Sequence, residues 1–328
     1  MVCILFDAPK VGWESFLVKN MGEPVKDVYS DKWSPKMPVY GWFIGALKAL
    51  MSTKKNDVVI CWFDFQAILV YWLALLLNKR RKIVCINVLL KEKNTLKNKI
   101  VTYLYKKALN SNNVVASVTS VEYGERLKTE LNIKRDFFLL HDIFHGEWKK
   151  YTNNIHSKSV FCGGHNGRDW NFIIELACNM PDVNFNLVMP KNLYKIHEAT
   201  LPDNVCVKYN IPFNEFMAEM CKSAIVALPL DTEAPAGLTV MFQAAANMKY
   251  ILTTDTITTR EYLSDGRGCL LPNDVAMWTK AIEERLELGG QEALNNSAST
   301  KLLHFLESEC SKEKYVQGIK SMIKRVRI

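Results

Sequence analysis

The chain has 328 residues, of which 48% are hydrophobic and 23% charged, a composition that excludes a disordered protein and allows two domains of about 150 residues each. Its formal net charge of +8 predicts an anionic partner, which charge alone leaves open between a nucleotide diphosphate, an acidic lipid surface and a nucleic acid. The nine cysteines are scattered singly without a CxxC spacing, which favours buried, reduced thiols over disulfides or a zinc site.

The first predicted element is a buried strand, VCILF, at residues 2–6. An acid, Asp7, follows this short apolar run directly, so the N-terminus lacks the basic segment and the long apolar core of a signal peptide. We therefore expect a cytoplasmic protein.

The segment Val58–Leu77 is almost wholly apolar and has the composition of a membrane span. Asp64 near its start makes a span costly, and the apolar stretch after it is too short to cross a bilayer. We interpret the segment as a strand, VVICWF, and a helix that ends at the basic cluster KRRK. Asp64, at the end of the strand, is a candidate general base toward an acceptor hydroxyl or, alternatively, the N-cap of the helix. Asp7 and Glu14 are rival candidates for the base.

Basic and aromatic residues interleave between Lys91 and Lys107, on one predicted helix. Such a helix can lie on an anionic membrane surface, where each basic residue contributes about 1 kcal/mol. The alternative is an ordinary solvated helix face. Both interpretations stay open at this point.

Short apolar strands alternate with amphipathic helices along the whole chain, which predicts an α/β protein built from doubly wound parallel sheets. The polar segment His141–Ser159 marks the junction between two such domains. We expect an N-terminal Rossmann-like domain over residues 1–150 and a C-terminal one over residues 151–311. Residues 312–328 have apolar residues at helical spacing, and we expect an amphipathic helix that packs back on the N-terminal domain.

A glycine-rich loop, Cys162-Gly163-Gly164-His165-Asn166-Gly167-Arg168-Asp169, follows the strand SVF and precedes a helix. Glycines allow close approach of the backbone to a ligand, and a helix N-terminus offers unpaired amides to an anion. Arg168 can pair with a phosphate, and Asp169 is placed to cap the helix. The alternative is a common strand-to-helix turn that binds nothing.

A second loop follows the strand AIVALPL and ends where a helix of small residues begins. Gly237, Leu238 and Thr239 open that helix with bare amides and a hydroxyl, an arrangement suited to a diphosphate. Gln243 lies about one turn later, within reach of a ribose hydroxyl.

The stretch PLDTEAPAGLTVMFQAAANMKYILTTDTITTREYLSDGRGCLLP resembles the donor-binding region of GT-B glycosyltransferases, most closely those of family 4. The resemblance covers Ser159–Leu286, while the N-terminal half resembles the family only in its order of strands. It implies two Rossmann-like domains with a cleft between them. It also implies transfer of a sugar from a nucleotide diphosphate sugar, such as a UDP-sugar, to a glycan or lipid-linked acceptor in polysaccharide or glycolipid biosynthesis.

By this resemblance, Arg168 would bind the donor diphosphate and Gln243 would replace a ribose-binding carboxylate. The expected donor-binding residues are Gly163, Gly164, His165, Arg168, Glu233, Ala236, Gly237, Leu238, Thr239 and Gln243. The family's paired glutamates are missing, because their positions hold Ala234 and Phe242. Glu233 and Gln243 each lie one residue away.

Other functions have weaker support in the sequence. No RNA-binding, zinc-finger or helix-turn-helix signature is present, and a nicotinamide cofactor would need a glycine fingerprint after the first strand. The dispersed histidines 141, 145 and 165 predict no protein-held metal, and we expect no tightly bound cofactor. The remaining alternative is an inactive GT-B-like module that binds a nucleotide or sugar. For the active enzyme, we expect a location in the cytoplasm, and peripheral attachment to the inner face of the membrane stays open beside it.

Overall fold

A computed structural model describes residues 1–7, 13–30, 38–90, 96–150, 158–287 and 297–328 of the protein. Residue packing divides the chain into two compact units. Unit 1 comprises Met1–Ile143 together with Cys310–Ile328, and unit 2 comprises Phe144–Glu309. The division at Ile143 lies before the predicted boundary between residues 150 and 151.

Unit 1 contains a six-stranded parallel sheet in the order β2-β1-β3-β4-β5-β6. Its strands are β1 (Val2–Phe6), β2 (Val25–Tyr29), β3 (Val58–Cys61), β4 (Lys82–Cys85), β5 (Val114–Val118) and β6 (Phe138–Leu139). Every residue of β1, β3 and β5 is buried, because both faces of a parallel sheet are covered by other elements. This burial explains why these strands are continuous apolar runs in the sequence.

Helices follow the first five strands of unit 1. They are α1 (Trp13–Asn20), α2 (Pro38–Met51), α3 (Asp64–Leu76), α4 (Leu96–Leu109) and α5 (Val121–Leu131). The beginning of the predicted basic segment, residues 91–95, lies outside the described residues. Helix α3 packs between α2 and α4, so these three helices form one layer.

The apolar segment Val58–Leu77 is strand β3 followed by helix α3, which confirms the strand-and-helix interpretation. Within the described ranges, no helix combines the length and the apolarity that a membrane crossing requires. The N-cap of α3 is Phe63, whose backbone N donates to Gln66 Oε1 at 3.2 Å. Asp64 is therefore the first residue of the helix. The alternative prediction that Asp64 is the N-cap was wrong.

Unit 2 contains a second six-stranded parallel sheet, in the order β12-β11-β10-β7-β8-β9. Its strands are β7 (Ser159–Gly163), β8 (Asn184–Val188), β9 (Val205–Lys208), β10 (Ile225–Leu228), β11 (Tyr250–Thr254) and β12 (Cys269–Leu271). The chain moves outward from β7 to β9 and returns to β10 on the other side of β7. The carboxyl ends of β7 and β10 thus form a topological switch point, the place where ligands bind in open α/β sheets.

Seven α-helices are described in unit 2. They are α6 (Trp170–Asn179), α7 (Lys191–His197), α8 (Phe213–Lys222), α9 (Leu238–Ala246), α10 (Ile257–Leu263), α11 (Val275–Glu287) and α12 (Ser297–Glu309). Two short 3-10 helices lie at Gly146–Lys150 and Glu198–Thr200. Each unit is thus a doubly wound α/β domain, which confirms the predicted fold class.

The last helix, α13 (Lys312–Arg327), belongs to unit 1 although it follows unit 2 in the chain. It contacts β4, β5 and α1. Tyr315, Ile319 and Met322 are buried in the same core as Val2 and Ile4. The apolar stripe seen in the sequence is therefore the face that covers the first sheet.

Candidate functional site

Two loops of unit 2 meet at the switch point and are joined through their backbones. One follows β7 and the other follows β10. Asp169 N donates to Pro229 O at 3.0 Å, and Asp231 N donates to Gly167 O at 3.2 Å. Because main-chain bonds hold the two loops together, their relative position does not depend on flexible side chains.

The side chain of Arg168 lies buried between these loops, with 5% of the residue exposed. Its Nε donates to Gly163 O at 2.8 Å and its Nη1 to Asn166 O at 3.4 Å. Burial lowers the pKa of the guanidinium below its ordinary value, while Cys162 and Asp231 nearby raise it. A guanidinium has five N–H donors, and these two bonds use two of them. The group therefore keeps donors for a ligand.

Two glycines leave room for this guanidinium. Gly164 has φ +120° and Gly237 has φ +79°, a region of backbone conformation that favours glycine. A β-carbon on Gly164 would lie 3.0 Å from Arg168 Nη2, and one on Gly237 would lie 3.0 Å from Nη1. The guanidinium thus lies against both loops, and a side chain at either glycine would press on it.

Gly237 is also the N-cap of α9, and no side chain caps this helix end. The first amides of a helix have no partner within it and carry the positive end of the helix dipole. Leu238 is buried, whereas the Thr239 side chain is exposed beside these amides. A buried cation next to an uncapped helix N-terminus makes an anion-binding arrangement, and a diphosphate fits its chemistry.

The ends of β11 and β12 support the same loops through two residues that our sequence analysis missed. Thr254 Oγ1 accepts from Leu230 N at 2.7 Å and donates to Asn273 Oδ1 at 2.5 Å. Asn273 Nδ2 donates to Leu230 O at 3.0 Å and to Asp169 Oδ2 at 3.2 Å. Thr254 is the last residue of β11 and Asn273 follows β12, so both lie at the carboxyl edge of the sheet, and this position was the available signal.

Asp169 caps helix α6, as predicted, because its Oδ1 accepts from Phe172 N at 3.0 Å. Among the other predicted residues of these loops, His165 is exposed and Ala236 is buried. A β-carbon on Gly167 would lie 2.9 Å from Ala236 Cβ, so the second loop requires glycine at position 167.

Glu233 is bonded to helix α10. Its Oε2 accepts from Ile257 N at 2.9 Å, and its backbone O accepts from Thr258 Oγ1 at 3.0 Å. This carboxylate therefore satisfies an amide in the first turn of a helix. These bonds connect Glu233 to α10, and its predicted contact with the donor stays a prediction.

Gln243 is buried, with 5% exposed, and among the described residues its Oε1 has no hydrogen-bond partner. A buried polar atom without a partner is uncommon, and a bound ligand is one explanation for it. The preceding residue, Phe242, lies where the resembling family has a glutamate. Its ring centroid is 5.5 Å from that of Tyr262 and 6.4 Å from that of Phe144. The position is thus apolar here, and the predicted contact of Gln243 with a ribose stays a prediction.

In unit 1, the carboxylate of Asp64 is buried, and each of its two oxygens accepts a hydrogen bond from a backbone amide. Its Oδ1 accepts from Phe65 N at 2.6 Å, and its Oδ2 accepts from Leu89 N at 2.9 Å. Burial raises the pKa of Asp64, while these amides and the Tyr105 hydroxyl lower it. The carboxylate ties the start of α3 to the loop after β4.

Asp7 directly follows β1, and β1 and β3 flank the switch point of the first sheet. Burial raises the pKa of Asp7, and Trp42 opposes this shift. Its Oδ1 has no hydrogen-bond partner among the described residues. The rival candidate Glu14 lies in α1, and its side chain is outside what the structure describes.

A polar cluster lies at the carboxyl ends of β4, β5 and β6. Asn87, at φ +43°, donates through Nδ2 to Asp142 Oδ1 at 3.2 Å and accepts through Oδ1 from Ser117 Oγ at 2.9 Å. Burial raises the pKa of Asp142 to about 6, while the hydrogen bond from Asn87 and the charge of His141 lower this pKa in part. Within the described ranges, no three His, Cys, Asp or Glu side chains are grouped to hold a metal ion.

Several solved structures share this fold over nearly the whole chain. HepE from Anabaena, in complex with UDP and glucose, has a TM-score of 0.69 at 11% identity and covers 98% of this chain and 99% of its own. WaaG, a glycosyltransferase involved in lipopolysaccharide biosynthesis, has a TM-score of 0.63 at 11% identity and covers 98% of each chain. The N-terminal domain of trehalose-6-phosphate phosphatase from Candida albicans has a TM-score of 0.66 at 10% identity and covers 99% and 96%.

No protein-family model matches the chain, and no curated protein matches its sequence. Identities of this size establish a common fold and leave the reaction to be argued from the site. The chain has the fold of GT-B glycosyltransferases, which confirms the resemblance seen in the sequence.

Proposed function

We propose that the protein is a glycosyltransferase. It transfers a sugar from a nucleoside diphosphate sugar to a hydroxyl of a glycan or lipid-linked acceptor, in polysaccharide or glycolipid biosynthesis. The observation that carries this proposal is the buried guanidinium of Arg168, in contact with Gly164 and with Gly237 at the N-terminus of α9. HepE, which shares the fold, binds UDP and glucose, and this favours UDP as the nucleotide.

The chemistry of this site suits the departure of a nucleoside diphosphate. As the bond between sugar and diphosphate breaks, negative charge grows on the phosphate oxygens. Donors that are already in position stabilise that charge with little rearrangement. Arg168 and the amides of Leu238 and Thr239 are such donors, because the two loops are joined by backbone hydrogen bonds.

The acceptor hydroxyl needs a base in mechanisms that invert the sugar. Asp64 was the first candidate from the sequence, and its carboxylate bonds two backbone amides. Asp7 lies at the switch point of the first sheet, and burial raises its pKa. We therefore propose Asp7 as the general base and Asp64 as a residue that positions the loop after β4.

Association with the cytoplasmic face of a membrane is part of the proposal. On α4, Ile100 and Tyr103 are 56% and 54% exposed, and Lys99 and Lys107 are exposed beside them. The Lys107 Nζ lies 5.8 Å from the centroid of the Tyr103 ring. This mixture of apolar and basic groups is typical of helices that lie on anionic lipid.

Calorimetric titration with UDP, GDP, TDP, CMP and NAD tests the central claim. We expect one nucleoside diphosphate to bind, and Arg168→Lys to weaken it about 10- to 100-fold, because a lysine cannot reproduce hydrogen bonds from a planar fork. Arg285→Lys, in α11 and stacked on Tyr250, is the matched control and should bind normally. Absence of nucleotide binding, or equal binding by both variants, would refute the proposed donor site.

Binding without transfer is the remaining outcome. Release of UDP from UDP-sugars, measured with candidate glycan and glycolipid acceptors, separates an enzyme from an inactive sugar-binding module. A protein that binds UDP through Arg168 and turns over no sugar with any acceptor would be the inactive module. This assay is needed because Phe242, in apolar surroundings, lies where the resembling family has a glutamate.

A further inference from the structure

The two helices that begin on either side of β1 carry aromatic residues in their first turns. Helix α2 follows β2 and helix α3 follows β3, and both strands are neighbours of β1 in the parallel sheet. Trp42 lies near the start of α2, and Phe65 lies at the start of α3. Because the carboxyl ends of parallel strands share one edge, both aromatic residues belong to the edge where Asp7 follows β1.

Gly45 allows α2 to lie directly against the end of β1. A β-carbon on Gly45 would lie 2.7 Å from Ser30 Oγ and 3.2 Å from Leu5 Cδ1, so a larger residue would push the helix away. Ser30 follows β2, and its Oγ accepts from Gln66 Nε2 of α3 at 3.5 Å. Trp42 lies three residues before Gly45 and therefore on the same face of the helix. The starts of both helices are thus fixed on the sheet, with Trp42 on the face that meets it.

Three aromatic rings are in contact at these helix starts, and we call them the aromatic platform. The ring centroids of Trp42 and Phe65 are 4.1 Å apart, and those of Phe65 and Phe63 are 5.4 Å apart with the rings stacked. All three residues are partly exposed. Such rings offer an apolar surface against which the C–H face of a sugar ring can pack.

Two buried polar atoms at the platform lack hydrogen-bond partners. Asp7 Oδ1 and Trp42 Nε1 have no such partner among the described residues. Burial raises the pKa of Asp7 and the Trp42 indole lowers it, so the indole N–H lies near the carboxylate. A buried polar atom without a partner is costly, and two of them close together favour a ligand group that bonds to both.

The chemistry of the two atoms selects a hydroxyl group. An indole N–H only donates, and an ionised carboxylate only accepts. A group between them must accept from Trp42 and donate to Asp7. A hydroxyl does both, whereas a carbonyl or an ionised phosphate only accepts and an ammonium only donates.

We propose that Trp42 Nε1 and Asp7 Oδ1 hold the reacting hydroxyl of the acceptor between them, with the aromatic platform against the sugar ring that carries this hydroxyl. The proposal rests on the proposed function, because it needs Asp7 as the base, and it narrows the acceptor to a saccharide. During transfer, the hydroxyl oxygen forms the bond to the anomeric carbon while its proton passes to Asp7. The diphosphate leaves with the electron pair of the bond that breaks. The indole N–H orients the attacking oxygen and takes no part in proton transfer.

The first test is NMR of the full chain with isotope-labelled indole nitrogens, titrated with the methyl glycosides of glucose, galactose, mannose and N-acetylglucosamine. The Trp42 signal is identified by its absence from the spectrum of Trp42→Phe. We expect at least one glycoside to shift this signal and to bind about three- to tenfold more weakly to Phe65→Leu. Glycerol is the control ligand, since it has hydroxyls and no ring. A Trp42 signal that no glycoside moves, or that glycerol moves as strongly, would overturn the proposal.

The second test is the pH profile of transfer to the glycoside that binds. We expect Trp42→Phe to lower kcat/KM at least about tenfold, because one hydrogen bond to the hydroxyl is lost while a ring is kept. The acid limb of the profile should also move to higher pH, since the indole lowers the pKa of Asp7. Trp72→Phe is the matched control, because Trp72 Nε1 donates to Leu104 O within the helix layer.

A Trp42→Phe profile that coincides with that of Trp72→Phe would contradict the proposal. Thermal unfolding of both variants checks that each is folded. UDP titration separates this proposal from the proposed function. Failure of the wild type to bind UDP refutes the donor site, whereas normal UDP binding with an unmoved acid limb refutes the role of Trp42 alone.

Discussion

The guanidinium of Arg168 lies so close to Gly237 that a β-carbon there would be 3.0 Å from Nη1. The contact joins the loop after β7 to the N-terminus of α9. A buried charge, a helix end and a positive-φ glycine therefore form one anion-binding arrangement, and changing any of them should change the binding of an anion.

The substitution Gly237→Ala should test this anion-binding arrangement directly. Alanine at φ +79° costs about 1–2 kcal/mol of stability, and its methyl group would displace the guanidinium, so UDP affinity should fall at least about tenfold. Gly266→Ala is the control, because Gly266 has φ +71° and its nearest neighbour is the Lys301 amino group at 3.6 Å. Calorimetry and thermal unfolding of both variants should show similar losses of stability and a loss of affinity only at Gly237.

Glu233 should contribute to stability more than to nucleotide binding. Its carboxylate accepts from Ile257 N, so Glu233→Ala should lower the free energy of unfolding by about 1 kcal/mol. Glu283→Ala, on the exposed side of α11, should change it by less than about 0.5 kcal/mol. UDP affinity should be normal in both. A large loss of UDP affinity in the Glu233 variant would instead support the donor contact predicted from the sequence.

The two aspartates of unit 1 should behave differently. Asp7→Asn should lower kcat about 100-fold or more and leave UDP affinity unchanged, because loss of a general base affects the chemical step. Asp64→Asn should lower stability by about 1–3 kcal/mol, since a charge-assisted bond to a buried amide is weakened. Steady-state kinetics with chemical unfolding distinguishes them. Normal turnover by the Asp7 variant would remove it from the mechanism.

Asp142 should make stability depend on pH. Its carboxyl titrates at 3.8 when unperturbed and at about 6 in the folded protein, so the folded state binds the proton more tightly. Stability should therefore fall as pH rises between these values, by up to about 3 kcal/mol. Asp142→Asn should remove most of this fall and be more stable at pH 7. Asp182→Asn, at an exposed aspartate, should retain the wild-type pH profile in urea unfolding.

The sequence predicted the fold because the fold depends on local patterns, while the donor-binding roles of the site residues stay a prediction. Apolar strands of four or five residues alternate with helices, and glycine-rich loops follow the strands that become β7 and β10. The sheet then places Gly164, Arg168 and Gly237 together, since β7 and β10 are neighbours. In the sequence, the resemblance to GT-B glycosyltransferases brought these residues together, and the adjacent parallel strands explain why they lie close to one another.

Contacts between distant residues were not predictable in the same way. The partner of Glu233 is Ile257, 24 positions away, and the partner of Asp64 is Leu89, 25 positions away. Asn273 reaches Asp169 across 104 positions. Such pairs depend on where loops end after the sheet has formed, and no periodic pattern in the chain encodes them.

Helix α13 closes the core of unit 1 but is synthesised after the whole of unit 2. A ribosome releases Val2 and Ile4 before it makes unit 2, and their partners Ile319 and Met322 emerge only after unit 2. Domains generally fold as units in the order in which they are made. Here that order is reversed, because unit 2 has all its residues before unit 1 does, and the first sheet has one apolar face open until α13 is made. Chaperones that shield such faces would find their substrate in the nascent N-terminal half.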